Sequence, residues 1–185
     1  KVADTIKGAY TPTHHMHNEY VPVHGKFNLS IRTDEVPDRL KEKALIARVR
    51  KNGRTYYHGG SFDGNEISTR TEKLGAYTVL VDTIPPKVRG VNIFNGKDMS
   101  KTSTIKMSMV DNLSGIYDYD ATIDGQWILM EYEPKQSRLT FDFADMNKFF
   151  TKVVNDEEDN RKHKFELTVV DNRGNKKVVS YEFKR

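Results

Sequence analysis

Lys164-Phe165-Glu166-Leu167-Thr168-Val169, then Asp171-Asn172-Arg173-Gly174-Asn175, then Val179-Ser180-Tyr181-Glu182-Phe183: apolar and polar residues alternate on both sides of one polar stretch. Successive side chains of an extended chain point to opposite faces. Phe165, Leu167 and Val169 therefore share one face, as do Val179, Tyr181 and Phe183. Asp, Asn and Gly supply the backbone conformations that a tight turn requires. The stretch predicts a β-hairpin with one apolar face.

The same period of two recurs upstream. Ile105, Met107 and Met109 share a face, and so do Leu139, Phe141 and Phe143. Ala121-Thr122-Ile123 and Gln126-Trp127-Ile128 flank Asp124-Gly125, a two-residue hairpin turn. In the first half, Lys26 to Ile31 alternates, Ala44 to Val49 and Tyr77 to Val81 are strand-like, and Asn52-Gly53 and Asp63-Gly64 read as turns. Many short strands with few helix signals describe all-β sandwich architecture.

Two places break the pattern. Pro37 to Glu42 suits a single helical turn. Met146, Phe149, Phe150 and Val153 fall at helical spacing behind a capping Asp145, which predicts a short helix near 145–154. The main boundary is Ile84-Pro85-Pro86. Consecutive prolines cannot continue a ladder of backbone hydrogen bonds. Strand sets of sandwich size lie on both sides, so the expected domains are 1–84 and 85–185.

Composition narrows the function classes. Hydrophobic residues make up 36% and charged residues 30% of 185, with 9 Phe and 9 Tyr, which marks a folded, polar chain. A net charge of +4 gives no concentrated basic footprint, so no nucleic-acid partner is expected. Arg48, Arg50, Lys51 and Arg54 are expected to face water along a strand edge. The absence of cysteine excludes disulfides, thiolate zinc sites and thiol catalysis. No apolar run approaches the roughly 18 residues of a transmembrane segment. The abrupt start at Lys1, without Met or a signal peptide, reads as an excised segment of a longer protein.

Three constellations are candidates for chemistry. In His14-His15-Met16-His17, an H-x-H pair on a strand would point His15 and His17 the same way, toward one zinc ion. The absence of an alternating apolar pattern there favours a solvated loop. Asp111, Asp118, Asp120 and Asp171 are the calcium candidates, as loop carboxylates at one end of a sandwich, although EF-hand spacing is absent. Tyr56, Tyr57, Tyr117, Tyr119, Trp127 and Tyr132 could form a sugar platform, but inward packing is the default for most of them. Trp127 is the expected exception, and Trp127, Tyr117 and Tyr132 are the glycan-binding candidates. There is no G-x-S-x-G elbow, P-loop or G-x-G-x-x-G, and Gly59-Gly60-Ser61 beside His58 reads as a turn. No catalytic residue and no cofactor is expected in this segment.

A group of stretches resembles a known family. They are Lys43 to Val49, Gly59-Gly60-Ser61-Phe62, Leu74 to Val79 running into Val81 to Pro86, Gly96-Lys97-Asp98-Met99-Ser100, Asp111 to Ile116, Ile123 to Trp127, Met130-Glu131-Tyr132, and Asp171 to Asn175. Together they resemble the region after the peptidase domain in lysostaphin-like (LytM-type) zinc metallopeptidases of Bacteroidetes-type bacteria. The resemblance covers roughly residues 27–183 and implies two tandem Ig-like sandwiches, non-catalytic accessories of an exported murein hydrolase. It implies a cell-envelope location, periplasmic or exported, and the peptidase domain of the same parent chain as partner. The family's zinc signature is H-x-x-x-D followed much later by H-x-H. This chain contains no H-x-x-x-D, and His15-Met16-His17 matches in letters only, so no ligand role is carried onto it. The rival expectation is a peptidoglycan-binding, glycan-binding or adhesion module that acts through exposed aromatics.

Overall fold

A computed structural model describes residues 4–145 and 161–185 of the chain. The described residues divide into two compact units. One comprises Lys1–Ile84 with Leu113–Gly115, the other Pro85–Asn112 with Ile116–Arg185.

The first unit is a sandwich of two antiparallel sheets. One sheet runs β1 (His14–Met16), β7 (Gly75–Val81), β3 (Ala44–Val49), β4 (Thr55–Tyr57). The other runs β2 (Phe27–Arg32), β6 (Glu66–Thr71), β5 (Ser61–Asp63). Leu29, Ile31 and Ile67 from the second sheet meet Ala44, Ile46, Tyr77 and Val79 from the first. β3 is buried along its whole length, because Leu45 and Ala47 on its other face are covered by Ile6, Ala9 and Tyr57. This is why Ala44 to Val49 reads as a continuous apolar run rather than an alternating one. The turn expected near Pro37 is a 3-10 helix over Asp38–Lys43, and its Leu40 packs against the core.

His58-Gly59-Gly60 carries the chain from the first sheet to the second. Ile46 N–H donates to Gly59 C=O, and His58 N–H donates to Ile46 C=O. Gly60 has φ +123, and a Cβ there would lie 2.9 Å from Ile67 Cδ1 and 3.1 Å from the Ile46 nitrogen. Only glycine fits that crossing.

The expectation that Arg48 faces water is overturned. Arg48 lies on the same face of β3 as Ala44 and Ile46, and its side chain is only 8% exposed. Glu19 and the Leu74 carbonyl accept from its Nη2, at 3.4 and 3.0 Å. Arg50, two residues on, remains exposed.

The second unit is also a two-sheet sandwich. One sheet runs β13 (Glu131–Glu133), β14 (Arg138–Asp142), β10 (Thr104–Val110), β8 (Lys87–Gly90). The other runs β12 (Gln126–Ile128), β11 (Ile116–Ile123), β15 (Lys162–Asp171), β16 (Lys176–Lys184), β9 (Lys97–Asp98), with β9 parallel to β16. Between them lie Ile105, Met107, Met109, Leu139, Phe141, Phe143, Phe165, Leu167, Val169 and Phe183, with Val179 and Tyr181 packed at the margin. The opening hairpin is β15–β16, paired from Lys162↔Lys184 to Val170↔Lys176. Asp124 (φ 52) and Gly125 (φ 76) make the two-residue turn between β11 and β12. Of the helix expected near 145–154, Asp145 ends a 3-10 turn over Phe143–Asp145. The remainder lies outside the described residues.

Candidate functional site

The second unit carries the exposed aromatics. On β11, Ala121 and Ile123 point into the core, so the intervening Thr122 points outward. Trp127 pairs across the ladder with Thr122 and is 55% exposed on that outer face. Glu166 also pairs with Thr122, which makes Trp127 an apolar plate set in a polar sheet face.

Tyr117 and Tyr119, two residues apart on β11, have different surroundings. The β11–β15 register shifts between Ile116 and Asp118, and the bulge places Tyr117 in solvent at 73% exposure. Tyr119 packs against the core and donates its hydroxyl to the Met130 carbonyl at 3.1 Å. Burial, then the Asp118 carboxylate and Tyr132, holds the Tyr119 phenol above the usual tyrosine value. Tyr132 belongs to the opposite sheet, on edge strand β13, and its ring contact is with Tyr119, 6.1 Å between centroids. The three glycan candidates thus lie on an outer sheet face (Trp127), at a bulge (Tyr117) and at a sandwich edge (Tyr132).

Inward packing is not the rule for the six aromatics singled out from the sequence. Tyr56, Tyr117, Trp127 and Tyr132 are exposed, whereas Tyr77, Phe141, Phe165 and Phe183 fill the cores. The exposed set sits on short outer strands and a bulge, where no second sheet covers it.

The carboxylates separate in the same way. Asp111 and Asp171 approach with carboxylate oxygens within 4.8 Å of each other. Asp171 is buried and shapes its hairpin turn. Its Oδ1 accepts from the Arg173 and Asn175 backbone N–H groups at 2.7 and 2.9 Å, and its Oδ2 from Asn175 Nδ2 at 2.7 Å. Asp118 and Asp120 stand exposed on the outer face of β11, opposite Val170 and Thr168.

In the first unit, His15 lies on β1 opposite Ala76, with its Nε2 3.8 Å from Asp4. His17 falls beyond the end of β1 and has φ 52. A left-handed residue breaks the alternation that would aim both imidazoles the same way. The two histidines line one pocket of about 150 Å³ with Glu19. Among the described residues, no set of three ligand atoms at metal-binding separation includes His15 or His17.

What sequence reasoning missed is a group of cations around His58. Arg48, Arg50 and Lys73 line one pocket with it. The sequence signal was present in Arg48 and Arg50, spaced two apart on a strand. His58 follows eight residues after Arg50, and Lys73 comes from a segment more than twenty residues away.

Comparison with known proteins adds two similarities. Residues 1–82 match the model of the Zu5-like domain. The fibronectin(III)-like modules of Clostridium thermocellum CbhA are similar over 88% of this chain and 86% of theirs, at 12% identity and a TM-score of 0.35. Comparison with curated proteins gives no match.

Proposed function

We propose that the chain is a pair of non-catalytic Ig-like modules that position or regulate a peptidase domain of the same parent, an exported cell-wall metallopeptidase. The observation that carries this reading is that each unit encloses its own two-sheet core, the build of a module carried by a larger protein. The Zu5-like match supports modularity for the first unit. The envelope setting rests on the family resemblance.

The encoding sequence upstream of Lys1 tests it directly. H-x-x-x-D with a later H-x-H is the expected finding, and an upstream region without them rejects the peptidase parent. Where the motifs are present, removing residues 1–185 should reduce kcat/KM on cross-linked peptidoglycan more than on a short soluble peptide. An equal effect on both substrates rejects a positioning role.

Trp127 favours a second reading, glycan binding. An indole left in water on a polar sheet face is suited to stacking on a sugar ring. Fluorescence of this single tryptophan, titrated with soluble peptidoglycan fragments, should change saturably.

A further inference from the structure

One end of the first sandwich concentrates positive charge. There β3 and β6 finish while β7 and β2 begin, and His58 bridges the two sheets, its Nε2 2.6 Å from Thr71 Oγ1. A pocket of about 170 Å³ opens at this end, lined by Arg48, Arg50, Tyr56, Tyr57, His58 and Lys73. No carboxylate lines it. A second hollow of about 190 Å³ shares His58 and Lys73 and adds Lys26 and Arg70, with Glu72 its one acid.

The local counter-charge is too small for these cations. Glu19 Oε2 accepts from Arg48 Nη2 at 3.4 Å and from Arg50 Nη1 at 3.0 Å, so one carboxylate serves two guanidiniums. Arg48 Nε is buried without a hydrogen-bond partner among the described residues, an unusual state for a guanidinium. The field reaches the imidazole too. Burial first, then Arg48 and Lys73, lowers the pKa of His58 below its ordinary value. A pocket of this kind attracts a compact anion, because convergent Arg and Lys donors recognise oxyanions and a concave surface focuses their field.

We propose that this end of the first unit binds a tetrahedral oxyanion, a phosphate or sulfate group, held by Arg50, His58 and Lys73 over the buried Arg48. Size supports the assignment. A pocket of about 170 Å³ has room for one oxyanion group. Arg50 stacks over the Tyr56 ring, 5.8 Å from its centroid, and Tyr56 is half exposed. That leaves a flat wall beside the pocket for whatever carries the anion. The site shares no residue with Trp127, so it stands or falls separately from glycan binding.

The test is a nitrogen-15 NMR titration of the 185-residue chain at fixed ionic strength, with separate arms of sodium phosphate, sodium sulfate, sodium acetate and sodium chloride. Saturable shifts of His58 and Lys73 signals are expected with phosphate or sulfate, with the His58 imidazole becoming easier to protonate. Lys73→Gln and Arg50→Gln should each weaken binding about tenfold, and Lys73→Gln, which alters an exposed side chain, should leave the melting temperature unchanged. The proposal is overturned by linear, non-saturating shifts in every arm, by equal saturation with chloride, or by saturation with acetate alone. It is also overturned if both variants bind phosphate and sulfate as tightly as the parent chain.

Discussion

Arg48 and Glu19 form an ion pair that is almost closed to solvent, with side chains 8% and 14% exposed. The arginine comes from the middle strands of a sheet and the glutamate from the irregular segment between β1 and β2. Removing one partner of such a pair leaves a buried charge uncompensated, whereas replacing the arginine by an apolar side chain of similar volume removes the penalty. Glu19→Gln should therefore destabilise the first unit by about 3 kcal/mol. Arg48→Met with Glu19→Gln should recover most of that loss in urea unfolding. A double variant less stable than Glu19→Gln would show that Arg48 is held by something other than charge compensation.

His58 gives a pH dependence of defined sign. Its folded-state pKa lies below the ordinary 6.5, so the unfolded chain binds a proton more readily. The neutral imidazole's contribution is complete above 6.5. It is lost as pH falls from 6.5 toward the folded value, and below that this residue causes no further loss. The charged groups facing it are Lys26, Arg48, Arg70, Lys73 and Glu72. His58→Gln should flatten the melting-temperature profile between pH 6.5 and 5. An unchanged slope in the variant would assign the acid sensitivity elsewhere.

Gly60 is fixed by space as well as by its dihedral angle. Gly60→Ala drives a methyl group against Ile67 and the Ile46 backbone at φ +123. A loss of about 2–3 kcal/mol is expected from combined overpacking and backbone strain. Thermal unfolding of this variant beside Gly53→Ala separates the two effects, because nothing lies within 4 Å of a Cβ at Gly53.

These residues also show where the sequence is legible. Alternation of large apolar residues marks β10, β14, β15 and β16 because each has one face on a core and one in water. β6, Glu66-Ile67-Ser68-Thr69-Arg70-Thr71, does not show itself. Ile67 is its single buried apolar residue, and Thr71 is buried as a hydrogen-bonding group. Arg48 misleads because burial of a charge depends on a counter-ion 29 residues away, which no local pattern encodes. The exposure of Tyr117 comes from a one-residue register shift, and nothing in Ile116-Tyr117-Asp118 announces that bulge. The Asp124-Gly125 turn is legible because its constraint is purely local.

Trp127 separates binding from stability. Trp127→Ala removes an indole that is half in water and should change unfolding free energy by about 0.5 kcal/mol or less. Phe165→Ala on β15 opens a cavity in a fully buried site and should cost about 3–5 kcal/mol. If glycan binding runs through Trp127, the first variant loses binding while keeping its melt. Retained binding in Trp127→Ala would turn attention to Tyr117 and Tyr132.

The last prediction concerns the independence of the second unit. Its core is drawn entirely from residues between Ile93 and Phe183, and both of its sheets are complete without a strand from the first half. Each fully buried side chain of this kind contributes roughly 1.5–3 kcal/mol. More than a dozen such side chains give this unit a core of its own, which is what independent folding requires. Residues 85–185 expressed alone should therefore give a cooperative thermal transition and dispersed amide signals. Leu113–Gly115, which counts with the first unit, is the segment expected to lose order in the fragment. Residues 1–84 should be the weaker fragment, since their sandwich core is smaller and Arg48 places a charge inside it. A fragment 85–185 with no cooperative melt would mean that the two halves fold as one unit and that the junction at Ile84-Pro85-Pro86 is a loop within it.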